Sequence, residues 1–230
     1  MNSSKGIIGL TTDIIDNLAA NFVVTPKKVI TNGVSEKSYA FTKFKPFDGN
    51  NLELIFSGSS YLEWHGLERL TDSLNKLRTH IKINLNIVGT FPTNKLRSTN
   101  ANFNIIYHGL LDCKKSEKIF RNCNLAIGTL ALYTKGMQEA SPLKSREYFC
   151  RGIPFIKAYY DTDIDKYAEM KQFCLDFPDN NSEIDFNQVI EFIKDMSSQT
   201  YDVALRMREL AIEKLNWTIK VKEYFDFLEI

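Results

Sequence analysis

The sequence predicts an α/β fold, a parallel sheet with helices on both faces that ends in a run of helices. Three observations predict it. Short apolar runs of strand length alternate with helical patterns from residue 27 to about residue 176. Gly33, Gly58, Gly89, Gly109 and Gly128 each follow one of those apolar runs, at the strand ends where backbone turns tightly or approaches a ligand. After Pro178 the strands stop, and three helical patterns follow one another. In such sheets ligands bind beyond the carboxyl ends of the strands, so the five glycines point to a nucleotide-type crevice.

Taken in order, residues 11–22 form a helix capped by Thr11 or Thr12, with Ile14, Ile15, Leu18 and Phe22 on one face. Lys27–Thr31 is a strand ending in Asn32-Gly33, and residues 35–50 are a long polar loop. Leu52–Ser57 is a strand, followed by Trp64-His65-Gly66 and a helix over Leu67–Thr79. Ile81–Val88 is a strand, residues 93–100 a short helix, and Asn104–Tyr107 a strand. Lys114–Cys123 is a helix and Asn124–Ile127 a strand. The strand Ile153–Lys157, a helix over Asp163–Lys171 and a strand over Gln172–Asp176 complete the alternation. Phe186–Met196, Tyr201–Leu215 and Trp217–Leu228 are the terminal helices.

The 230 residues are 43% hydrophobic, enough for a large core in one domain or one and a half small ones. A net charge of +1 gives no electrostatic case for nucleic acid or an anionic membrane. No apolar run reaches bilayer length, and the first residues do not read as a signal peptide. Cys113, Cys123, Cys150 and Cys174 are scattered, without metal-type spacing, as reduced thiols of a cytoplasmic protein would be. His65, His80 and His108 are too far apart for a local metal motif.

Glu139–Pro154 carries the chemistry. Ser141 reads as an N-cap with Pro142 at the first helical position, and Gly152 and Pro154 close the helix. Lys144 stands in the first turn, where the helix dipole disfavours a cation unless an anion is present. A helix N-terminus beside a lysine is a phosphate cradle, and Glu139 and Glu147 flank it as acceptors for sugar hydroxyls. The plainer reading pairs Glu147 with Arg151 at i+4 and leaves Lys144 solvated.

These residues resemble a known family. Lys28-Val-Ile-Thr-Asn-Gly-Val34, Ile55-Phe-Ser-Gly58, Trp64-His-Gly-Leu-Glu-Arg-Leu70, Leu85-Asn-Ile-Val-Gly89 and Tyr107-His-Gly109 stand in the order of the motifs of retaining group 1 (family four) glycosyltransferases of GT-B fold. Glu139 and Glu147, seven residues between them, are similar to that family's paired glutamates, and Gly152-Ile-Pro154 and Trp217 follow as they do there. The resemblance covers most of the chain and is to the Rossmann-like donor-binding half, in the subgroup common in surface or capsular polysaccharide synthesis. It implies transfer of a sugar, of the hexosyl type, from a nucleotide diphosphate sugar to an acceptor hydroxyl with retention and without a metal. Glu139 would meet the transferred sugar as the catalytic residue, and the backbone at Ala140, Ser141 and Leu143 would meet sugar or diphosphate. Glu147 would hold the ribose, Gly33 would line the diphosphate and Gly89 the base or ribose, with Gly58 and Ser59 also at the donor.

Two departures matter. Where the family usually has an arginine and a lysine, this chain has Ser59-Ser60 and His65-Gly66, which weakens the cationic clamp. Either His65 is protonated beside a diphosphate, with Lys144 as the second charge, or it is packed by Trp64; Arg69 reads as a surface or packing cation. The second departure is length. The resemblance implies residues 1–26 as the tail of an absent N-terminal acceptor domain, 27–200 as the donor-binding domain and 201–230 as helices. The last of these crosses towards that absent domain, with Val221, Tyr224, Phe225 and Leu228 partly exposed. Such a chain would bind a nucleotide sugar but not transfer it alone. Its acceptor would be a saccharide or lipid-linked saccharide, and its place cytoplasmic or at the inner membrane face. The alternative is a non-catalytic nucleotide-sugar-binding module or sensor; an epimerase of the same architecture is a third reading.

Overall fold

The computed structural model describes residues 5–21 and 25–229. Its strands are β1 (Ile7–Gly9), β2 (Lys27–Val29), β3 (Asn51–Ser60), β4 (Lys82–Thr90), β5 (Phe103–Gly109), β6 (Leu125–Ile127), β7 (Glu139–Ala140), β8 (Phe155–Lys157), β9 (Tyr160–Asp161) and β10 (Cys174–Asp176). Its helices are α1 (Thr12–Leu18), α2 (Leu67–Lys76), α3 (Cys113–Phe120), α4 (Leu143–Arg151), α5 (Ala168–Lys171), α6 (Phe186–Ser198), α7 (Val203–Lys214) and α8 (Trp217–Leu228).

Six strands form one sheet, in the order β10-β8-β6-β3-β4-β5, and every pair in it is parallel. Counted by appearance within the sheet, that order is 3-2-1-4-5-6, so the order of strand addition reverses between β3 and β6. Burial on both faces explains why the strands read as near-continuous apolar runs. Leu52, Leu54, Ile55 and Phe56 on β3 and Leu125, Ala126 and Ile127 on β6 are all fully buried. Right-handed crossovers put α2 on one face and α3 and α4 on the other, where the rings of Phe120 and Tyr148 lie 6.3 Å apart.

The expected elements recur with four differences. Lys27–Thr31 does not join the central sheet: β2 pairs in parallel with β1, forming a separate two-stranded sheet that ties the chain before residue 26 to the chain after it. Residues 93–100 are not helical. Asn75 holds Arg97 O and Thr99 N there, and Asn100 Nδ2 donates to Leu74 O and Leu77 O. Side-chain amides thus satisfy backbone that a helix would have satisfied itself. The helix expected over Asp163–Lys171 is broken into a 3-10 turn, Ile164–Lys166, and α5, because Asp161 Oδ1 accepts from the amides of Asp163 and Ile164. Finally, β7 and β9 pair as a short parallel ribbon that no periodicity announces.

Helix α1 is capped by Thr11, whose hydroxyl accepts from Ile14 N; Phe22 lies outside the described residues. Helix α8 begins at Trp217 as expected, and Val221 and Phe225 are 42% and 50% exposed. Gly152 closes α4 at φ +78, and a Cβ there would lie 2.5 Å from that of Ala204 on α7. This close approach is what lets α7 pack on α4.

Candidate functional site

The carboxyl ends of β3 and β4 meet the start of α4 around a cleft of about 480 Å³, beside the point where strand order reverses. Gly58, Ser59, His65, Leu143, Lys144 and Glu147 all line it, six of the residues singled out from sequence. Leu110 and Leu111, just after β5, add an apolar wall that sequence reasoning did not single out. Gly89 does not itself line the cleft; it packs against Gly58, which does. Its φ is +136, and a Cβ there would fall 1.7 Å from Gly58 O, so only glycine lets the two strand ends approach.

The first turn of α4 faces this cleft without a side-chain cap. Ser141 does not cap the helix, as its position suggested, and Pro142 occupies the N-cap place instead of the first helical one. The serine is already used: its hydroxyl accepts from Asn32 N at 2.9 Å, and its carbonyl accepts from Asn32 Nδ2 at 2.5 Å. The positive end of the helix is therefore left for something else.

Lys144 is not solvated. Its ammonium is buried without a hydrogen-bond partner, 4.0 Å above the ring of Phe56 and 5.9 Å from that of Trp64. Burial brings its pKa down to about 7, with Glu147 pulling the other way. His65 is 4% exposed, with its ring 4.4 Å from that of Trp64 and 4.9 Å from that of Phe56. Burial, and then the charge of Lys144, push its pKa down to about 3, so at neutral pH this imidazole is uncharged. Of the two readings of His65, the free protein has the packed one, with the ring against Trp64. Arg69 is a packing cation: its guanidinium donates to the carbonyls of Leu130, Pro178 and Ser182.

Glu147 does pair with Arg151, whose Nε donates to it at 2.7 Å. Arg151 is itself fully buried, 4.2 Å from the ring of Phe120. Burial raises the Glu147 pKa, and Arg151 and Lys144 oppose that. The carboxylate is 15% exposed and keeps its place on the cleft wall.

Glu139, Ala140 and Gly33 are not brought to this cleft. Ala140 pairs with Asp161 across the β7–β9 ribbon. Glu139 Oε2 accepts from Thr12 N at 2.9 Å, while Asp13 Oδ2 accepts from Glu139 N at 3.2 Å, so strand and helix hold each other. Glu139 lines a different cavity. Gly33 lies under Trp217, where a Cβ would sit 2.8 Å from the indole.

Sequence reasoning missed Arg146. It is fully buried, and its guanidinium donates to Asp161 and Asp163, each at 2.5 Å, and to Asn32 O at 3.3 Å. Lys220 of α8 reaches Asp163 at 2.8 Å. Burial alone would lower the Arg146 pKa; Asp161 and Asp163 outweigh it and raise it. The alternating carboxylates Asp161, Asp163 and Asp165 were the available signal, because buried carboxylates require buried cations. Among the described residues no cluster of His, Cys, Asp and Glu is placed to hold a metal, and no helix is long and apolar enough to cross a membrane.

No family model and no curated protein matches the chain by sequence. Solved structures do match by fold. Sucrose-phosphate synthase from Thermosynechococcus elongatus superposes with a TM-score of 0.64 at 13% identity, over 97% of this chain and 57% of that one. HepE from Anabaena, in complex with UDP and glucose, gives 0.61 at 15% identity, over 98% and 63%. WaaG, a glycosyltransferase involved in lipopolysaccharide biosynthesis, gives 0.65 at 14% identity, over 96% and 62%. The chain spans about three fifths of the length of these structures. Over that length its Rossmann-like parallel sheet and flanking helices have the GT-B glycosyltransferase fold.

Proposed function

We propose that the chain is the donor-binding part of a glycosyltransferase that takes a nucleotide diphosphate sugar. One observation carries this reading: an uncapped helix N-terminus and a buried, unpartnered lysine ammonium face the same cleft at the strand-order reversal. Both favour an anion, and neither has one from the protein. A diphosphate there would accept from the amides of the first turn of α4, Leu143 onward, since Pro142 has no N–H to give. Its charge would also fix the proton on Lys144 and stabilise the diphosphate as a leaving group. Glu147, oriented by Arg151, would accept from the ribose hydroxyls, and the apolar wall at Leu110 and Leu111 suits a base.

The finer reading follows the resemblance. Transfer with retention, of the hexosyl type, would need no metal, and the acceptor would be a saccharide or lipid-linked saccharide in surface polysaccharide synthesis. An N-terminal acceptor domain would supply the rest of the active site. Residues 27–200 would form the donor domain, and α8, with Val221 and Phe225 exposed, would run towards the acceptor domain. The enzyme would work in the cytoplasm or at the inner membrane face. A second reading, a nucleotide-sugar-binding module without catalysis, draws on one observation. Glu139 bonds to Thr12 and lines a separate cavity, away from the cleft.

Calorimetry with UDP, GDP, ADP and their common sugars tests the reading. One nucleotide is expected to bind, and Glu147→Ala to remove most of the affinity. A sugar nucleotide that binds more tightly than its diphosphate, with Glu139→Ala erasing only that difference, supports the catalytic reading. An unchanged affinity in Glu139→Ala supports the module. No binding at millimolar concentration, by this chain and by a chain that includes an acceptor domain, rejects both.

A further inference from the structure

A cavity of about 450 Å³ lies at the carboxyl ends of β6, β8 and β10, whereas the nucleotide cleft lies at those of β3 and β4. The two share no residue. Its walls are the 3-10 turn Leu132–Lys135, the chain entering β7, the link from β8 to β9 and the loop after β10. Both the volume and the place suit a small molecule.

The lining is aromatic and carries one charge. Tyr133, Tyr159, Tyr160 and Phe177 contribute rings, Met137 a thioether and Asp179 a carboxylate. Tyr133 and Tyr160 are 37% and 49% exposed, while Tyr159 and Phe177 are buried. The Tyr159 ring already has the Lys157 ammonium 5.3 Å from its centre, and that ammonium is matched by Asp165 and Asp176. Among the described residues no lysine or arginine lies over the rings of Tyr133, Tyr160 or Phe177, and no second aromatic ring pairs with them.

No basic side chain lines the cavity, so an anion finds no partner there. Asp179 Oδ1 accepts from Tyr133 N at 3.0 Å, which seats the turn against the loop after β10. Arg69, whose charge reaches Asp179, spends its hydrogen bonds on the carbonyls of Leu130, Pro178 and Ser182. Burial raises the Asp179 pKa, and Tyr133 N, Arg69 and Leu132 N oppose that. A cation in the cavity would favour the charged carboxylate further. Ring faces attract a cation too, most strongly where water is excluded. A cation with N–H groups needs acceptors, and Asp179 Oδ1 already serves Tyr133 N. An alkylated ammonium needs none, and its methyl groups pack on rings and thioether alike.

We propose that this cavity binds a small alkylated ammonium ion of the choline class, packed on the rings of Tyr133, Tyr160 and Phe177 beside the carboxylate of Asp179. Such binding is independent of glycosyl transfer, because the cavity and the nucleotide cleft have no wall in common.

The test is a nuclear magnetic resonance titration of the chain with choline to about 100 mM at constant chloride, the weak regime expected of so small a ligand. Two controls run beside it: the uncharged tert-butyl analogue of choline, in which carbon replaces nitrogen, and methyl α-D-glucopyranoside. Choline is expected to shift the amides of Gly136, Gln138 and Tyr160, and the uncharged analogue to bind about tenfold more weakly. Tyr133→Leu should weaken choline about tenfold, and Tyr133→Phe, which keeps the ring, should bind as wild type does. Asp179→Asn keeps an acceptor for Tyr133 N and removes the charge, and should weaken choline about fivefold. UDP affinity should be unchanged in all three variants. The proposal is overturned if choline leaves these amides unshifted, if the uncharged analogue or the glucoside binds as well as choline does, or if neither Tyr133→Leu nor Asp179→Asn weakens it. Failure of UDP to bind would count against the nucleotide cleft alone, because the choline titration contains no nucleotide.

Discussion

Two residues apart on α4, Lys144 and Arg146 are both basic and both withdrawn from water, yet the protein treats them in opposite ways. Arg146 donates to two carboxylates, and its neighbours Ser145 and Asn32 add a hydroxyl and a carbonyl. Lys144 meets only the faces of two aromatic rings. Buried cations are ordinarily paired. One helix thus shows what the chain does when it can satisfy a cation, and the exception beside it marks where the charge is kept for something else. A buried group whose satisfaction lies outside the chain is a functional signal of a kind that a satisfied one is not.

Removing the satisfied cation should have the largest effect. Arg146→Met leaves Asp161 and Asp163 buried with Lys220 as their remaining basic partner nearby. It is expected to cost about 3–5 kcal/mol, the usual penalty for an orphaned buried charge. Urea unfolding measures this, and a loss under about 1 kcal/mol would mean that the network does not anchor α4 to α8.

His65 sharpens the comparison from the other side of the cleft. Its folded pKa of about 3 lies below the ordinary value of 6.5. As pH falls below 6.5, the unfolded chain gains a proton that the folded chain refuses. The stabilisation, complete above that value, is lost progressively towards pH 3. At pH 4.5 the loss should be about 2–3 kcal/mol, seen as a steeper fall in thermal midpoint than in His65→Phe. Because Lys144 is one cause of the depression, Lys144→Met should raise that pKa and make the loss at acid pH smaller.

Lys144→Met itself should reverse the sign found for Arg146. With a folded pKa of about 7 against an ordinary 10.5, the ammonium opposes folding at neutral pH. The variant should be more stable by about 1–3 kcal/mol at pH 7. The wild type alone should gain stability as pH rises from 7 towards 10.5, where the unfolded lysine still holds a proton. The same variant should bind the diphosphate about 10–100-fold more weakly, the worth of one charged hydrogen bond. A variant that is less stable, or binds as well as wild type, would end the distinction between the two cations.

How much of this was legible follows the same division. Periodic apolar runs gave the central sheet and the terminal helices, because burial on both faces leaves a continuous pattern in sequence. The ribbon of β7 and β9 was not legible, since two residues carry no period. Nor was the missing helix at 93–100, where Asn75, distant in sequence, takes over backbone bonds. Lys144, Glu147, His65, Gly58 and Ser59 line one cleft because strand ends and a helix start fix where they lie. Glu139 lies apart from them, held by Thr12, 127 positions away, a contact that only the folded chain makes. For His65 two readings stayed open, since a sequence does not show that Phe56 and Trp64 enclose the ring.

The smallest expected effect is the most direct test of what Lys144 is held for. In the free protein the ammonium titrates at about pH 7. A diphosphate beside it favours the charged form, so the bound protein should hold the proton to higher pH. Binding is then accompanied by proton uptake between those two values. Affinity is complete below pH 7 and falls as pH rises towards the bound pKa. A sugar nucleotide is the right probe, because its diphosphate is doubly esterified and its own charge does not change across this range. Its affinity should drop about tenfold between pH 6.5 and pH 8.5, or 1.4 kcal/mol. Calorimetry at pH 8 in two buffers of different ionisation enthalpy should register close to one proton taken up. Lys144→Met should abolish both the drop and the uptake. Arg146→Lys keeps a cation among Asp161 and Asp163 on the same helix, and should abolish neither.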